Sequence, residues 1–155
     1  MLLTNVVRGG LANAAPPASF RELIPDVLTQ EEARRLQWVG TQSFSHPLVA
    51  RCVEWMRTIA PDASIEAPAY CRVEKKADGH DWHQDTGDGD HMPWCRYSGS
   101  VLLSPPDMFS GGWFEFDAPA ERHKHYLGLL VYTSDNWHRV TPHDGDRRAL
   151  IIFLG

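Results

Sequence analysis

The chain has 155 residues, of which 43% are hydrophobic and 23% charged, and its net charge is −5. This is ordinary usage for a globular chain of one domain, 1–155, able to bury about two thirds of the surface that its unfolded form exposes, and it is far from disordered composition. An acidic balance without a clustered basic stretch argues against a nucleic-acid partner, and no apolar run reaches the roughly 18 residues of a membrane span.

Leu2-Leu3-Thr4-Asn5-Val6-Val7 is too short, and lacks the preceding basic region, for a secretory signal, although Ala12-Asn13-Ala14 imitates a cleavage site. Residues 8–18, rich in Gly, Pro and Ala, read as an irregular lead-in. Thr29-Gln30-Glu31-Glu32 is a capping box that opens a helix over about 30–39, with Gly40 as its stop. A second helix over about 46–60 carries Val49, Val53, Met56 and Ala60 at three- and four-residue spacing and ends before Pro61. Cys52, Cys71 and Cys95 are odd in number and form no C-x-x-C pair, so neither a disulfide framework nor a thiolate zinc site is expected, and a reducing cytoplasm suits them.

From residue 68 the pattern changes to short apolar or alternating runs, at 69–74, 98–104, 112–117, 127–133, 137–141 and 147–154, separated by Gly, Pro and Asp. That predicts an all-β sandwich or barrel over 68–155, with 1–67 as mostly helical support. The last run, Arg148-Ala149-Leu150-Ile151-Ile152-Phe153-Leu154, is apolar on both faces. One face is expected to line a barrel interior and the other to pack under the helices.

His83-Gln84-Asp85 carries the first chemistry. With eight histidines and twelve aspartates in the chain, about 0.6 H-x-D triplets are expected by chance, so the triplet alone says little. Its value is geometric: residues i and i+2 of a strand share a face about 6.5 Å apart and can grip one ion. His138 is the candidate third ligand. Two imidazoles and a carboxylate on one side of a metal leave the other side open, the ligand set of non-haem iron(II) oxygenases. The Pro142-His143-Asp144-Gly145 segment has the composition of a hairpin loop. A four-residue loop would pair Thr141 with Asp146, Val140 with Arg147 and His138 with Ala149. Arg147 would then share a face with His138, and Arg148 would point away.

Several segments together resemble the prolyl 4-hydroxylase-like 2-oxoglutarate/iron(II)-dependent oxygenases. They are Asp81-Trp82-His83-Gln84-Asp85; the strand Arg96 to Ser104 with its Pro105-Pro106-Asp107 turn; Gly111-Gly112-Trp113-Phe114-Glu115-Phe116; His138-Arg139-Val140-Thr141-Pro142; and Gly145-Asp146-Arg147-Arg148-Ala149-Leu150. The resemblance implies a double-stranded β-helix (a cupin-like jelly roll) with flanking helices, and Fe(II) held by His83, Asp85 and His138. It implies 2-oxoglutarate as cosubstrate with Arg147 on its distal carboxylate, O2 as oxidant, ascorbate as reductant, and hydroxylation of a C–H bond. Asp85 disfavours a halogenase, because related halogenases carry a small residue there. The expected substrate is a peptidyl prolyl or other protein side chain. A free amino acid or metabolite is the alternative, and a non-enzymatic metal-binding jelly roll the remote one.

The chain also departs from that pattern. Glu74 and Leu102 stand where many relatives have tyrosines, and Tyr70 and Ser100, on the same faces, are the candidate substitutes in cosubstrate binding. Tyr70 and Arg72 are candidate pocket residues from the first core strand. His123 and His125, within Glu121-Arg122-His123-Lys124-His125, read as a solvated hairpin rather than a second metal pair. Thr86-Gly87-Asp88-Gly89-Asp90 reads as a mobile flap favouring a neutral or cationic substrate. Trp38, Trp55 and Trp113 are expected to pack, and Trp82, Trp94 and Trp137 to flank the site.

Overall fold

In this computed structural model residues 17–36, 38–66, 68–86 and 92–155 are described. The lead-in up to residue 16 and the run Gly87-Asp88-Gly89-Asp90 of the expected flap lie outside them. The elements in chain order are β1 (Arg21–Ile24), α1 (Gln30–Arg35), β2 (Gly40–Thr41), α2 (Pro47–Ile59), β3 (Ala69–Glu74), β4 (His80–His83), β5 (Tyr97–Leu102), β6 (Phe109–Gly111), β7 (Phe114–Phe116), β8 (Glu121–His123), β9 (Leu129–Thr133), β10 (His138–Val140), β11 (His143–Gly145) and β12 (Ala149–Leu154). Six strands form one sheet in the order β1-β9-β5-β12-β3-β2, four form a second in the order β4-β10-β7-β8, and β11 pairs with β6.

Alternation along the central strands builds two environments from one sheet. Cys71 and Val73 of β3, Val101 of β5, Leu129 and Val131 of β9, and Leu150, Ile152 and Leu154 of β12 join Leu48, Val49, Cys52, Val53 and Met56 of α2 in one core. Burying each such aliphatic side chain contributes about 1.5–3 kcal/mol. The residues between them, including Tyr70, Arg72, Glu74, Ser100, Tyr132, Ala149, Ile151 and Phe153, line a cavity on the opposite face. Both faces of the last strand are thus used as its sequence requires. Gly99 lets α2 come close, since a Cβ there would stand 2.8 Å from Met56 Sδ.

The capping box forms as read: Glu32 N–H donates to Thr29 Oγ1 at 3.1 Å, and Glu32 Oε1 accepts from Thr29 N–H at 3.0 Å. The helix it opens is shorter than its sequence span. Leu36 is already the C-cap, and the indole of Trp38 donates to the Arg35 carbonyl at 3.1 Å, closing the end. Gly40 begins a strand instead of ending the helix.

The expected hairpin between 137–141 and 147–154 does not form. β10 pairs with β4 and β7, whereas β12 pairs with β3 and β5, and His143–Gly145 pairs with β6 between them. Residues 141–148 carry the chain from one sheet to the other. Turn-forming residues specify a change of direction; the strand partner is decided by which face must be buried.

Candidate active site

β4 and β10 are antiparallel neighbours whose register sets His83 directly opposite His138. Such pairs bring side chains together, and the two imidazole centroids are 4.3 Å apart. Asp85, just beyond the end of β4, turns its carboxylate to the same point: Oδ1 is 3.4 Å from His83 Nε2 and 3.4 Å from His138 Nε2. One donor atom from each of the three lies within 4.8 Å of the others. Two donor atoms bound at ~2.1 Å to one ion stand ~3.0 Å apart at a right angle and ~3.4 Å apart at the tetrahedral angle. The spacing fits a single metal ion.

Proton placement points the same way. His83 Nδ1 lies 2.6 Å from the Asp81 carbonyl and His138 Nδ1 2.9 Å from the Asn136 carbonyl. A carbonyl only accepts, so each Nδ1 carries the hydrogen, and in the neutral ring Nε2 is left as a bare lone pair. Both lone pairs then face the Asp85 oxygen, itself an acceptor, and His138 Nε2 also lies 3.4 Å from the Tyr132 hydroxyl. A second proton on each ring would relieve this only by placing two imidazolium charges side by side. A divalent cation satisfies all three groups at once.

The surroundings hold this geometry. Burial pushes the Asp85 carboxyl pKa up, but positive charge on the His138 and His83 side and a 2.6 Å hydrogen bond from Ser98 Oγ outweigh it; a cation between the rings would supply that charge without a proton on either Nε2. Phe114 lies parallel to the His138 ring at 5.3 Å, and Tyr132 meets it edge-on at 4.9 Å. Asn136, whose carbonyl fixes His138, is itself tied by Arg21 Nε to its Oδ1 at 2.6 Å and by its Nδ2 to the Phe20 carbonyl at 3.2 Å.

The three residues open into a cavity of about 560 Å³ that Arg147 also lines. Arg147 is 5% exposed, and burial pulls its pKa down to about 10, with only the charge of Glu74 opposing. Its Nε donates to the Gly112 carbonyl at 3.0 Å. Among the described residues no carboxylate forms an ion pair with it. A buried guanidinium without an ion-paired carboxylate is costly, and an anionic ligand would offset that cost. Arg148 faces away, donating to Asp146 Oδ1 at 3.1 Å. Arg147 thus points inward although the pairing that predicted this is absent; the turn between sheets orients it. Gly112 (φ +64°) makes room for its stem, since a Cβ there would stand 2.6 Å from Arg147 Cδ.

Strands β3 and β12 give the cavity three rungs, Glu74 opposite Ala149, Arg72 opposite Ile151 and Tyr70 opposite Phe153. The Tyr70 and Phe153 rings stack at 6.3 Å. Glu74 is bonded by Arg72 and, at 2.6 Å, by His80 Nε2. This cluster was not legible in the sequence beyond the shared face of 70, 72 and 74. Ser100 lines the cavity and meets His125, whereas Leu102 is buried in the sheet.

His125 corrects the solvated-hairpin reading: it is buried, bonded to Ser100 and edge-on to Phe114. A charge-rich run signals solvent only on average, and one residue in it faces inward. Nor do His123 and His125 belong to any cluster of three metal-binding groups among the described residues. Tyr132, beside His138, was missed because its run is apolar on both faces. The tryptophans also need correcting. Trp38 and Trp55 are exposed, at 51% and 43%; Trp55 falls off the stripe 48, 49, 52, 53, 56, and Trp38 lies beyond the shortened helix. Trp113 is half-buried beneath Arg122. Trp94 lines the cavity, but Trp82 and Trp137 are exposed and do not.

Neither a protein-family model nor a curated protein matches the chain. Solved structures do. The viral collagen prolyl hydroxylase of Paramecium Bursaria Chlorella virus-1, in complex with 2-oxoglutarate, matches with TM-score 0.67 and 12% identity, over 87% of this chain and 95% of that one. An oxidoreductase of the 2-oxoglutarate/Fe(II) oxygenase family from Burkholderia pseudomallei gives TM-score 0.61 and 16% identity, over 87% and 84%. A prolyl hydroxylase from Trichoplax adhaerens, in complex with a hypoxia-inducible-factor peptide fragment, gives TM-score 0.59 and 11% identity, over 86% and 82%. At these identities the likeness is one of fold: the chain has the double-stranded β-helix fold seen in the 2-oxoglutarate/Fe(II) oxygenases, with two flanking α-helices among the described residues.

Proposed function

We propose that the chain is a 2-oxoglutarate- and Fe(II)-dependent dioxygenase that hydroxylates a substrate C–H bond. One observation carries the reading: a buried guanidinium with no ion-paired carboxylate among the described residues shares its cavity with His83, Asp85 and His138, whose donor atoms lie within 4.8 Å of one another. In this reading His83, Asp85 and His138 hold the iron, Arg147 holds the distal carboxylate of 2-oxoglutarate, and Ser100 and Tyr70 complete the cosubstrate wall. Iron with 2-oxoglutarate and O2 supplies the oxidation, in which the keto acid becomes succinate and CO2 and one oxygen atom enters the substrate C–H bond.

The chain's own residues bind and orient. The Asp81 and Asn136 carbonyls hold the hydrogen of each ring on Nδ1, so that Nε2 can serve as the ligand atom. Ser98 occupies the second oxygen of Asp85, leaving Oδ1 as the ligand atom. Arg147 offers a planar fork that matches a carboxylate bidentately and keeps its charge at any working pH. Phe114, Tyr132 and Val140 form an apolar wall against water.

The preferred substrate is a protein side chain, prolyl among others, a reading supported by the peptide complex of the Trichoplax fold neighbour. A small-molecule substrate is the second reading, favoured by a cavity of about 560 Å³, within the usual range of small-ligand pockets. A purely structural metal site would leave the buried charge of Arg147 unexplained. No helix among the described residues is long and apolar enough to cross a membrane, and three cysteines, none of them in a disulfide, support a cytoplasmic setting.

The test is succinate formation by the purified chain with iron(II), ascorbate, O2 and 2-oxoglutarate. Wild type turns over without added substrate, Asp85→Ala does not, and Arg147→Ala needs far more 2-oxoglutarate. Equal turnover by wild type and an iron-loaded Asp85→Ala protein would refute the reading. Paired peptide and metabolite libraries then separate the two substrate classes.

A further inference from the structure

Ser100 and His125 form a buried polar pair outside the metal cluster. Ser100, on β5, lines the cavity together with Arg147, and its Oγ lies 3.0 Å from His125 Nε2. His125 stands behind the wall, 6% exposed, edge-on to Phe114 at 5.7 Å. Its other nitrogen, Nδ1, is buried and has no hydrogen-bond partner among the described residues.

This ring is neutral, because burial and then the charge of Arg147 push its pKa down to about 3. A neutral imidazole has one hydrogen to place. On Nδ1 it would be a buried N–H with no acceptor, a defect that folded proteins almost never carry. On Nε2 it points at Ser100. Nε2 therefore donates and Ser100 Oγ accepts. A serine hydroxyl has one hydrogen and two lone pairs; with His125 on the lone-pair side, the hydroxyl hydrogen is left to be donated towards the cavity.

Taking Arg147 and Ser100 as the carboxylate clamp of the proposed reading, the geometry points to His125 as a positioning residue that fixes the Ser100 hydroxyl as a donor to the distal carboxylate of 2-oxoglutarate. This rests on the oxygenase reading above. With the opposite tautomer Ser100 would donate backwards and turn lone pairs on the carboxylate. His125 touches no ligand, yet it decides whether Ser100 attracts or repels one.

A double-mutant cycle tests the clamp. Calorimetric titration of 2-oxoglutarate into the full chain, loaded with manganese(II) to prevent turnover, compares wild type, Ser100→Ala, His125→Phe and the double variant. Loss of a hydrogen bond to a charged group predicts about tenfold weaker binding for Ser100→Ala. His125→Phe is expected to weaken binding by a similar factor, and the double variant to be no weaker than Ser100→Ala, since His125 acts only through Ser100. In turnover, His125→Phe raises KM for 2-oxoglutarate and leaves kcat unchanged. Nitrogen-15 imidazole spectra of wild type should show the hydrogen of His125 on Nε2, a readout that decides the matter even if a variant fails to fold. Hydrogen on Nδ1, or an equal loss from His125→Phe in both backgrounds, overturns the clamp while leaving the oxygenase reading intact. A wild-type protein that binds no 2-oxoglutarate overturns both.

Discussion

Where His83, Asp85 and His138 meet, three acceptor atoms face one another at 3.4 Å across Asp85 Oδ1, and the outer atoms of all three side chains are tied to Asp81, Asn136 and Ser98. Around Arg147 the charge is reversed: a buried guanidinium meets the Gly112 carbonyl and no paired carboxylate among the described residues. In the proposed reading a cation completes the first region and an anion the second. A ligand that completes both must bind metal at one end and carry a carboxylate at the other, as 2-oxoglutarate does. Mutations that affect one region and spare the other therefore test the comparison directly.

The largest effect is expected at His83. Its side chain is 38% exposed, so His83→Ala removes a proposed ligand without opening a cavity in the core. Metal affinity should fall by more than the ~10–100-fold that outer partners of metal ligands typically contribute, and succinate formation with it. The melting temperature of the metal-free protein should not change. Elemental analysis after dialysis, paired with thermal denaturation, reads both; an iron-replete His83→Ala protein would break the cation half of the comparison.

Arg147→Lys comes next. It keeps the charge and loses the planar fork, so KM for 2-oxoglutarate should rise by about 100-fold while iron content stays at the wild-type level. If metal binding fell in parallel, the two regions would not be independent. Ser98→Ala is the mirror case. It removes the 2.6 Å hydrogen bond to Asp85 Oδ2, and iron affinity should weaken by ~10-fold with the affinity of the metal-loaded protein for 2-oxoglutarate unchanged.

The two regions were also unequally legible in the sequence. His83 and Asp85 are two residues apart at the end of a strand, so local alternation places them on one face, and the cross-strand position of His138 follows once β4 and β10 pair. Arg147 was assigned inward from a hairpin that does not exist; its direction comes from the turn at 141–148 and from Gly112, which are non-local. The second helix and the central strands were legible because their apolar period is strong. β1, β2, β4, β6, β8 and β11 fall outside the runs read as strands: each has two to four residues and most are polar, so sheet position rather than composition makes them strands. His125 gave no signal, because a lone inward residue in a charged run looks like its neighbours.

Gly112→Ala is the smallest and most selective change. Gly112 has φ +64°, and an added Cβ would stand 2.6 Å from Arg147 Cδ, 3.0 Å from Phe109 Cε2 and 3.1 Å from Arg147 Nε. Backbone strain of this kind costs of order 1–3 kcal/mol, and Arg147 is the longer and more movable of the two neighbours. The guanidinium should shift while its carbonyl anchor and its charge are retained. KM for 2-oxoglutarate should therefore rise by only a fewfold, roughly what a partly weakened charged hydrogen bond supplies, and the melting temperature should fall. Iron affinity should not change, because Gly112 touches none of the three ligands. A drop in iron binding would mean that the turn between the sheets supports both regions, and that the cation and anion sites form as one unit rather than two.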